Sequence, residues 1–265
     1  MGIVNVTPDS FSDGGSFFDP SRAVAHALRL VDEGADIVDI GGESTRPGAD
    51  AVDAAEECRR VLPVIEQVAA QSDATISIDT MKASVARKAL AAGAHIINDV
   101  SALTHDPEMS TVASDGRAGV VLMHRRGTPR TMQNDPCYDD VVAEVHAYLA
   151  ERVKAARAAG IAKEALAVDP GIGFGKTVTH NVQLLANVKA WRVAGLAALV
   201  GLSRKRFIGD VTGASVEDRL AGSLAALVNC VLAGVEIMRV HDVAASVQAA
   251  RMARAIEAER GSREL

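Results

Sequence analysis

The chain has 265 residues, 34 Asp and Glu against 28 Lys and Arg for a net charge of −6, and 48% hydrophobic side chains. That length suits one α/β barrel of about 250 residues, and the apolar fraction supplies a sizeable core and excludes a disordered chain. The acidic balance argues against a nucleic-acid footprint and leaves room for an anionic ligand only where a local cluster is basic.

Three cysteines, Cys58, Cys137 and Cys230, show no paired spacing. They fit a reducing compartment, with neither a disulfide frame nor a zinc site. The opening residues lack a basic region followed by an apolar segment, and no apolar run approaches about 18 residues. No membrane partner is therefore expected, and the cytoplasm is the expected compartment. No linker of Pro, Ser or charge interrupts the pattern, so residues 1–265 are expected to form a single domain.

In chain order, Ile3-Val4 predicts a buried strand that stops at Asn5, because Pro8 then removes a backbone donor. Ser, Asp and Gly surround Phe11 in the next stretch, a loop composition. A lone aromatic there either folds back onto the core or belongs to a lid over a ligand. A helical stretch over 20–33 follows and ends at Glu33-Gly34-Ala35-Asp36, after which Ile37-Val38 reads as the second strand. The same word returns at Ala92-Gly93-Ala94-His95, Arg117-Ala118-Gly119, Ala159-Gly160-Ile161, Ala194-Gly195-Leu196 and Ala233-Gly234-Val235. Each glycine closes a helix as a left-handed cap requires. Strands are predicted at Ile76-Ser77-Ile78, Ile96-Ile97, Val120-Val121-Leu122, Leu166-Ala167-Val168, Leu199-Val200 and Ile237-Met238. The remaining helices are predicted over 53–70, 82–92, 107–115, 139–159, 179–190, 216–233 and 242–258, with a short one at 206–210. Alternating strand and helix implies a parallel sheet. Eight repeats of about 30 residues imply an α/β fold closed as a (βα)8 TIM barrel, with an open doubly wound sheet as the alternative.

The strands stop at Asn5, Asp39, Asp79, Asn98-Asp99, His124, Asp169, Ser203-Arg204-Lys205 and Arg239-Val240-His241. One such residue could be a cap or turn residue. All eight ends being polar marks a catalytic mouth, since parallel strand ends converge on one face of a barrel. Arg46, Arg204, Lys205, Arg239 and His241 make that mouth basic. Arg239 and His241 are two apart, on one side of an extended strand, and suggest an anion clamp; pairing with surface carboxylates is the plainer alternative. Asp39, Asp79 and Asp169 end apolar runs and need donors if buried. A flat nitrogen heterocycle such as a pterin or guanine offers an N–H beside an NH2; a divalent cation competes for the same oxygens. No H-E-x-x-H cluster occurs, so a dedicated metal cage is disfavoured and a magnesium ion shared with substrate phosphate stays open. In Asp169-Pro170-Gly171-Ile172-Gly173-Phe174-Gly175-Lys176-Thr177, Pro170 stands where a nucleotide-binding loop needs its first glycine. The glycines either let backbone approach a ligand, with Phe174 as an apolar wall, or form a flexible turn.

The stretch from Asn5 to Gly15 and the stretch Asp39-Ile40-Gly41-Gly42-Glu43-Ser44-Thr45-Arg46-Pro47-Gly48 resemble the two opening signatures of the dihydropteroate synthase family. Ser77-Ile78-Asp79-Thr80, Ile97-Asn98-Asp99-Val100, Leu122-Met123-His124, Asp169-Pro170-Gly171, Ser203-Arg204-Lys205 and Arg239-Val240-His241-Asp242-Val243 match in order, so the resemblance spans essentially the whole chain. It implies a TIM barrel that joins 6-hydroxymethyl-7,8-dihydropterin pyrophosphate to p-aminobenzoate and releases pyrophosphate in folate synthesis. It implies that Asp39, Asp79, Asn98, Met123, Asp169, Lys205 and Arg239 bind the pterin, and that Asn5, Arg46, Arg239 and His241 bind pyrophosphate. Phe11, Thr45, Pro47, Phe174 and Lys205 are implied to shape the aminobenzoate pocket, with Asp13, Arg46, Asp79 and Lys205 as the catalytic set. Mg2+ is the implied cofactor, touched by Asn5, and a homodimer the implied assembly.

Loss of pyrophosphate from the pterin methylene gives a resonance-stabilised cation, so a dissociative route is expected, with Asp13 near the cation and no general base. On this reading the first loop closes over pyrophosphate and brings Phe11 and Asp13 to the second pocket. Two departures stand out. Ile3-Val4 is short for a barrel strand, and Arg206 stands where some relatives carry Ser. A pterin-dependent methyltransferase and a binding-only paralogue are the alternatives. The first would not need the Ser-Thr-Arg-Pro-Gly loop or the Arg-x-His pair, and the second would be expected to lose Asn5, Arg46 or loop residues that are all present.

Overall fold

The short apolar runs become parallel strands, and the Ala- and Leu-rich stretches between them become helices on the outside. A computed structural model describes residues 1–7, 20–44, 50–127 and 131–261. The strands are β1 Gly2–Asn5, β2 Ile37–Gly41, β3 Thr75–Asp79, β4 Ile96–Asp99, β5 Gly119–Met123, β6 Leu166–Asp169, β7 Ala197–Gly201 and β8 Ile237–Arg239. They lie side by side in chain order, each parallel to the next. Beyond β8, Val240 bridges to Gly2, the Ile3 amide donates to Val240 O at 3.0 Å, and the Val240 amide donates to Met1 O at 2.9 Å. These bonds return the last strand to the first and give the predicted α/β TIM barrel rather than an open sheet. The short first strand spans four residues and still reaches both neighbours.

The helices are α1 Pro20–Asp32, α2 Ala54–Gln71, α3 Ala83–Ala91, α4 Met109–Asp115, α5 Val141–Ala158, α6 Val178–Ala186, α7 Val188–Trp191, α8 Arg206–Thr212, α9 Leu220–Leu232 and α10 Val243–Gly261. Two depart from expectation. The helix predicted over 179–190 breaks at Asn187, whose backbone N–H and side-chain amide both donate to Gln183 O, ending the first piece. Trp191 then folds the second piece back by donating to Leu184 O at 2.9 Å. The helix predicted from 216 starts at Leu220, because Ser215 donates its hydroxyl to the Glu217 and Asp218 carboxylates and turns the chain first. Among the described residues no helix is long and apolar enough to cross a membrane.

Two cores result. The larger lies between the outer faces of the strands and the helices, and includes Ile40, Ile65, Ile78, Leu122, Leu149 and Val200. The smaller fills the barrel itself with Val121, Ala167 and Leu199, flanked by Met1, Ile96, Ala197 and Ile237. Side chains two apart on a strand share a face, and neighbours in parallel register share it too. Asp39 lies beside Ser77 and Gly41 beside Asp79. Asp79 lies beside Asn98, Val121 beside Ala167, and Met123 beside Asp169. Leu199 pairs with Ile237 and Gly201 with Arg239. The apolar plug and the polar strand ends above it therefore belong to one inward-facing set.

Candidate active site

At the centre of the mouth is a guanidinium among carboxylates. Arg239, the last residue of β8, donates from Nε to Asp39 Oδ2 at 2.6 Å and from Nη2 to Asp79 Oδ2 at 2.8 Å. Asn98 donates its side-chain amide to the same Asp39 oxygen at 3.1 Å. Asp39 is fully buried, and its other oxygen, Oδ1, has no partner among the described residues. Burial pushes the Asp79 carboxyl up to about 7; Arg239 pulls it down and the Asp39 charge adds to the rise. Burial works against the Arg239 cation, but Asp39 and Asp79 outweigh it and raise its pKa.

Asp169, at the end of β6, is buried and accepts the Gly171 amide at 2.7 Å. Burial raises its pKa against the pull of Lys205 and that amide. Lys205 follows β7, donates to Ile172 O and lies 4.7 Å over the Phe174 ring. Burial lowers its pKa to about 8, with Asp169 opposing. Met123 is buried at the end of β5, beside Asp169 in register. Asn5 is half-buried at the end of β1, beside Gly41. The His241 amide donates to Ser203 Oγ at 3.2 Å, and its ring Nδ1 lies 3.1 Å from that hydroxyl. Asp39, Asp79, Asn98 and Arg239 are thus joined directly, while Asp169, Lys205 and Phe174 form a second group. Phe11, Asp13, Thr45, Arg46, Pro47 and the lid assigned to the first loop lie outside the described residues.

Some polar strand ends serve the scaffold instead. Asp99 faces away from the inward set and accepts from the Ser101 amide and hydroxyl and the Leu103 amide, at 2.6–3.0 Å. It shapes a turn in which Ala102 and Leu103 take left-handed backbone. Arg204 forks onto Asp242 at 2.6 and 2.8 Å, tying the end of β7 to the residues after β8. His124 is buried, and burial, with Lys176 and Arg126 nearby, pushes its pKa to about 2. It is a neutral ring packed edge-on against Tyr148 at 4.9 Å.

Two clusters were not anticipated from the sequence. Lys82 bonds both Glu43, just after β2, and the fully buried Glu57 of α2. Burial works against its ammonium, but these carboxylates outweigh it and raise the pKa. A small cavity lined by Glu43, Glu57 and Asp79 joins this cluster to the site. Lys176 is also buried and touches His124 Nδ1 at 2.9 Å and Phe174 O at 3.0 Å. The readable signal for Glu57 is its place on the apolar stripe Cys58, Val61, Val64, Ile65 and Val68 of α2. Among the described residues, no group of three or more His, Cys, Asp or Glu is placed to hold a metal ion.

A family model described as pterin binding enzyme matches residues 1–241. Dihydropteroate synthase of Escherichia coli (strain K12) is 48% identical over 255 residues, 96% of this chain and 90% of that protein. The structure of Xanthomonas albilineans dihydropteroate synthase with 4-aminobenzoic acid gives a TM-score of 0.91 at 54% identity, over 97% of this chain and 92% of that one. Dihydropteroate synthase from the same organism in complex with 7,8-dihydropteroate gives 0.88 at 51% identity, over 97% and 93%. With near-complete coverage on both sides and polar groups gathered at the mouth of the same barrel, this chain belongs to the dihydropteroate synthase family of pterin-binding enzymes.

Proposed function

We propose that the chain condenses 6-hydroxymethyl-7,8-dihydropterin pyrophosphate with p-aminobenzoate to give 7,8-dihydropteroate and pyrophosphate. The observation that carries this is the buried set Asp39–Arg239–Asp79 with Asn98, a cluster of acceptors and donors at the mouth of the barrel. A carboxylate such as Asp79 accepts the N–H and NH2 of a pterin edge in parallel, and Asn98 offers both an amide donor and an acceptor. A ligand donor also suits Asp39 Oδ1, which is buried and unpaired among the described residues. On this reading the pterin edge replaces Nη2 of Arg239 at Asp79, and the guanidinium moves to a ring face opposite Met123. Asp169 and Lys205 take the remaining ring nitrogens and oxygen.

The chemistry follows from the leaving group. The methylene C–O bond breaks first, its electron pair leaves with pyrophosphate, and the pterin ring delocalises the positive charge. Asp39, Asp79 and Asp169 stabilise that charge, and Arg239, His241 and Arg46 stabilise the departing oxygens. The arylamine nitrogen, uncharged at neutral pH, then bonds to the methylene and releases one proton to water. Asp13 is assigned to the cation, and Phe11, Thr45, Pro47, Phe174 and Lys205 to the aminobenzoate. Asn5 would offer one hard amide oxygen to a Mg2+ ion accompanying the diphosphate. When bound, that ion neutralises charge on the diphosphate.

The proposed setting is a cytoplasmic homodimer. Met252 and Ile256 are 61% and 44% exposed on α10, a face suited to a second copy. Incubating the protein with the pterin pyrophosphate, p-aminobenzoate and Mg2+ is expected to yield dihydropteroate and pyrophosphate in equal amounts. Pterin binding without turnover would overturn the synthase reading in favour of a binding protein.

A further inference from the structure

The segment after β6 is held in an unusual way. Gly171, Gly173 and Gly175 have φ of +65°, +83° and +65°, so their peptide planes turn away from the backbone pairing of a helix or strand. Four successive carbonyls are met instead by four side chains. Lys205 donates to Ile172 O, Gln133 to Gly173 O at 2.7 Å, Lys176 to Phe174 O at 3.0 Å, and Tyr138 to Gly175 O at 2.8 Å. The result is a strap with Phe174 near its centre and the Lys205 ammonium over the Phe174 ring.

Lys176 is the most enclosed of these donors, 3% exposed. A buried lysine ordinarily needs a carboxylate on its nitrogen. Here both hydrogen-bond partners are neutral, the Phe174 carbonyl and His124 Nδ1. Burial, with Lys205 and Arg126 adding, holds its pKa well below the usual lysine value, against the pull of Asp169. The Lys176 nitrogen donates to the Phe174 carbonyl at 3.0 Å and lies 2.9 Å from His124 Nδ1, with no carboxylate bonded to it.

We infer that Lys176 is a positioning residue for the second substrate: it holds the Phe174 carbonyl, and through it the Phe174 ring, in the geometry that receives p-aminobenzoate. This rests on the assignment of Phe174 and Lys205 to the aminobenzoate pocket. Tyr138 does the same one residue further on, with a hydroxyl instead of an amine.

Steady-state kinetics on the full chain test it. Lys176→Met keeps the length and apolar body of the side chain and removes both donors. The expected result is a KM for p-aminobenzoate about tenfold higher, the scale of losing one well-placed bond to a wall residue. The kcat at saturation and the KM for the pterin pyrophosphate should stay within about twofold. Lys176→Gln keeps one donor and should fall between. Tyr138→Phe, a milder change, should raise the same KM about threefold. Amide hydrogen exchange over 171–176 should quicken in each variant. An unmoved KM for p-aminobenzoate in an active Lys176→Met or Tyr138→Phe enzyme overturns the inference. So does a parallel loss of kcat and of pterin affinity, which marks a general structural defect. Absence of turnover in the unsubstituted chain is a different result and overturns the synthase reading itself.

Discussion

Asp79 and Lys205 have pKa values moved towards each other by burial, up to about 7 and down to about 8. In the proposed pterin contact the carboxylate has to be ionised to accept two N–H groups, and the ammonium has to keep its proton to donate. The kcat/KM for the pterin pyrophosphate should therefore climb as pH passes about 7 and decline beyond about 8. Asp79→Asn should erase the acid limb and lower kcat/KM about a hundredfold, since it sets a donor against a donor. Lys205→Arg should move the alkaline limb out of range; a limb that stays put assigns it to another group. The polar cluster at the mouth was legible because each member ends an apolar run with the parity of an inward residue, as Asp39, Asp79, Asn98, Asp169 and Arg239 do. Polarity alone could not separate them from Asp99, whose carboxylate is consumed by Ser101 and Leu103, or from Arg204, which is consumed by Asp242. Lys176 was illegible because its partners are a backbone carbonyl and a ring 52 residues away.

The strap after β6 shows what an element's glycines are for. A Cβ on Gly171 would stand 1.9 Å from His124 O, whereas one on Gly213, the left-handed cap of α8, would meet nothing within 4 Å. Both residues have positive φ, so both carry the strain of a left-handed alanine, about 1 kcal/mol. Gly213→Ala should cost about that much in urea unfolding, and Gly171→Ala about 3 kcal/mol because backbone must also move. Equal losses would show that the close approach to His124 carries no weight. The glycine spacing was readable as backbone approaching something, and the sequence favoured a ligand over a flexible turn. The structure adds a third answer, since backbone approaches backbone there. Helix limits were legible to within a few residues except where a side chain intervened, as Asn187 does at the break between α6 and α7. Glu57 was missed because a carboxylate on an apolar stripe has meaning only once Lys82, 25 residues on, arrives to meet it.

For the molecule as a whole, the barrel was legible from the repeat of strand, helix and glycine, which no other arrangement of eight parallel strands closes so economically. Assembly was not, because a surface stripe of apolar residues reads like a core-facing one. Met252 and Ile256 turn outward on α10, so Met252→Glu with Ile256→Glu should convert a dimer to a monomer in sedimentation velocity while leaving the circular dichroism unchanged. A wild-type monomer would refute that assembly. The seam between β8 and β1 has a further consequence for how the chain is made. Asp39 meets Arg239 across 200 positions of sequence and Asp79 meets it across 160. During synthesis the carboxylates emerge from the ribosome long before their guanidinium does, and β1 waits with an open edge for Val240. The nascent barrel can pack its early helices and strands in turn, but Asp39 and Asp79 lack the guanidinium that bonds them both until the last strand arrives. Closing the wall and completing the site are therefore one event, set by the arrival of the last strand.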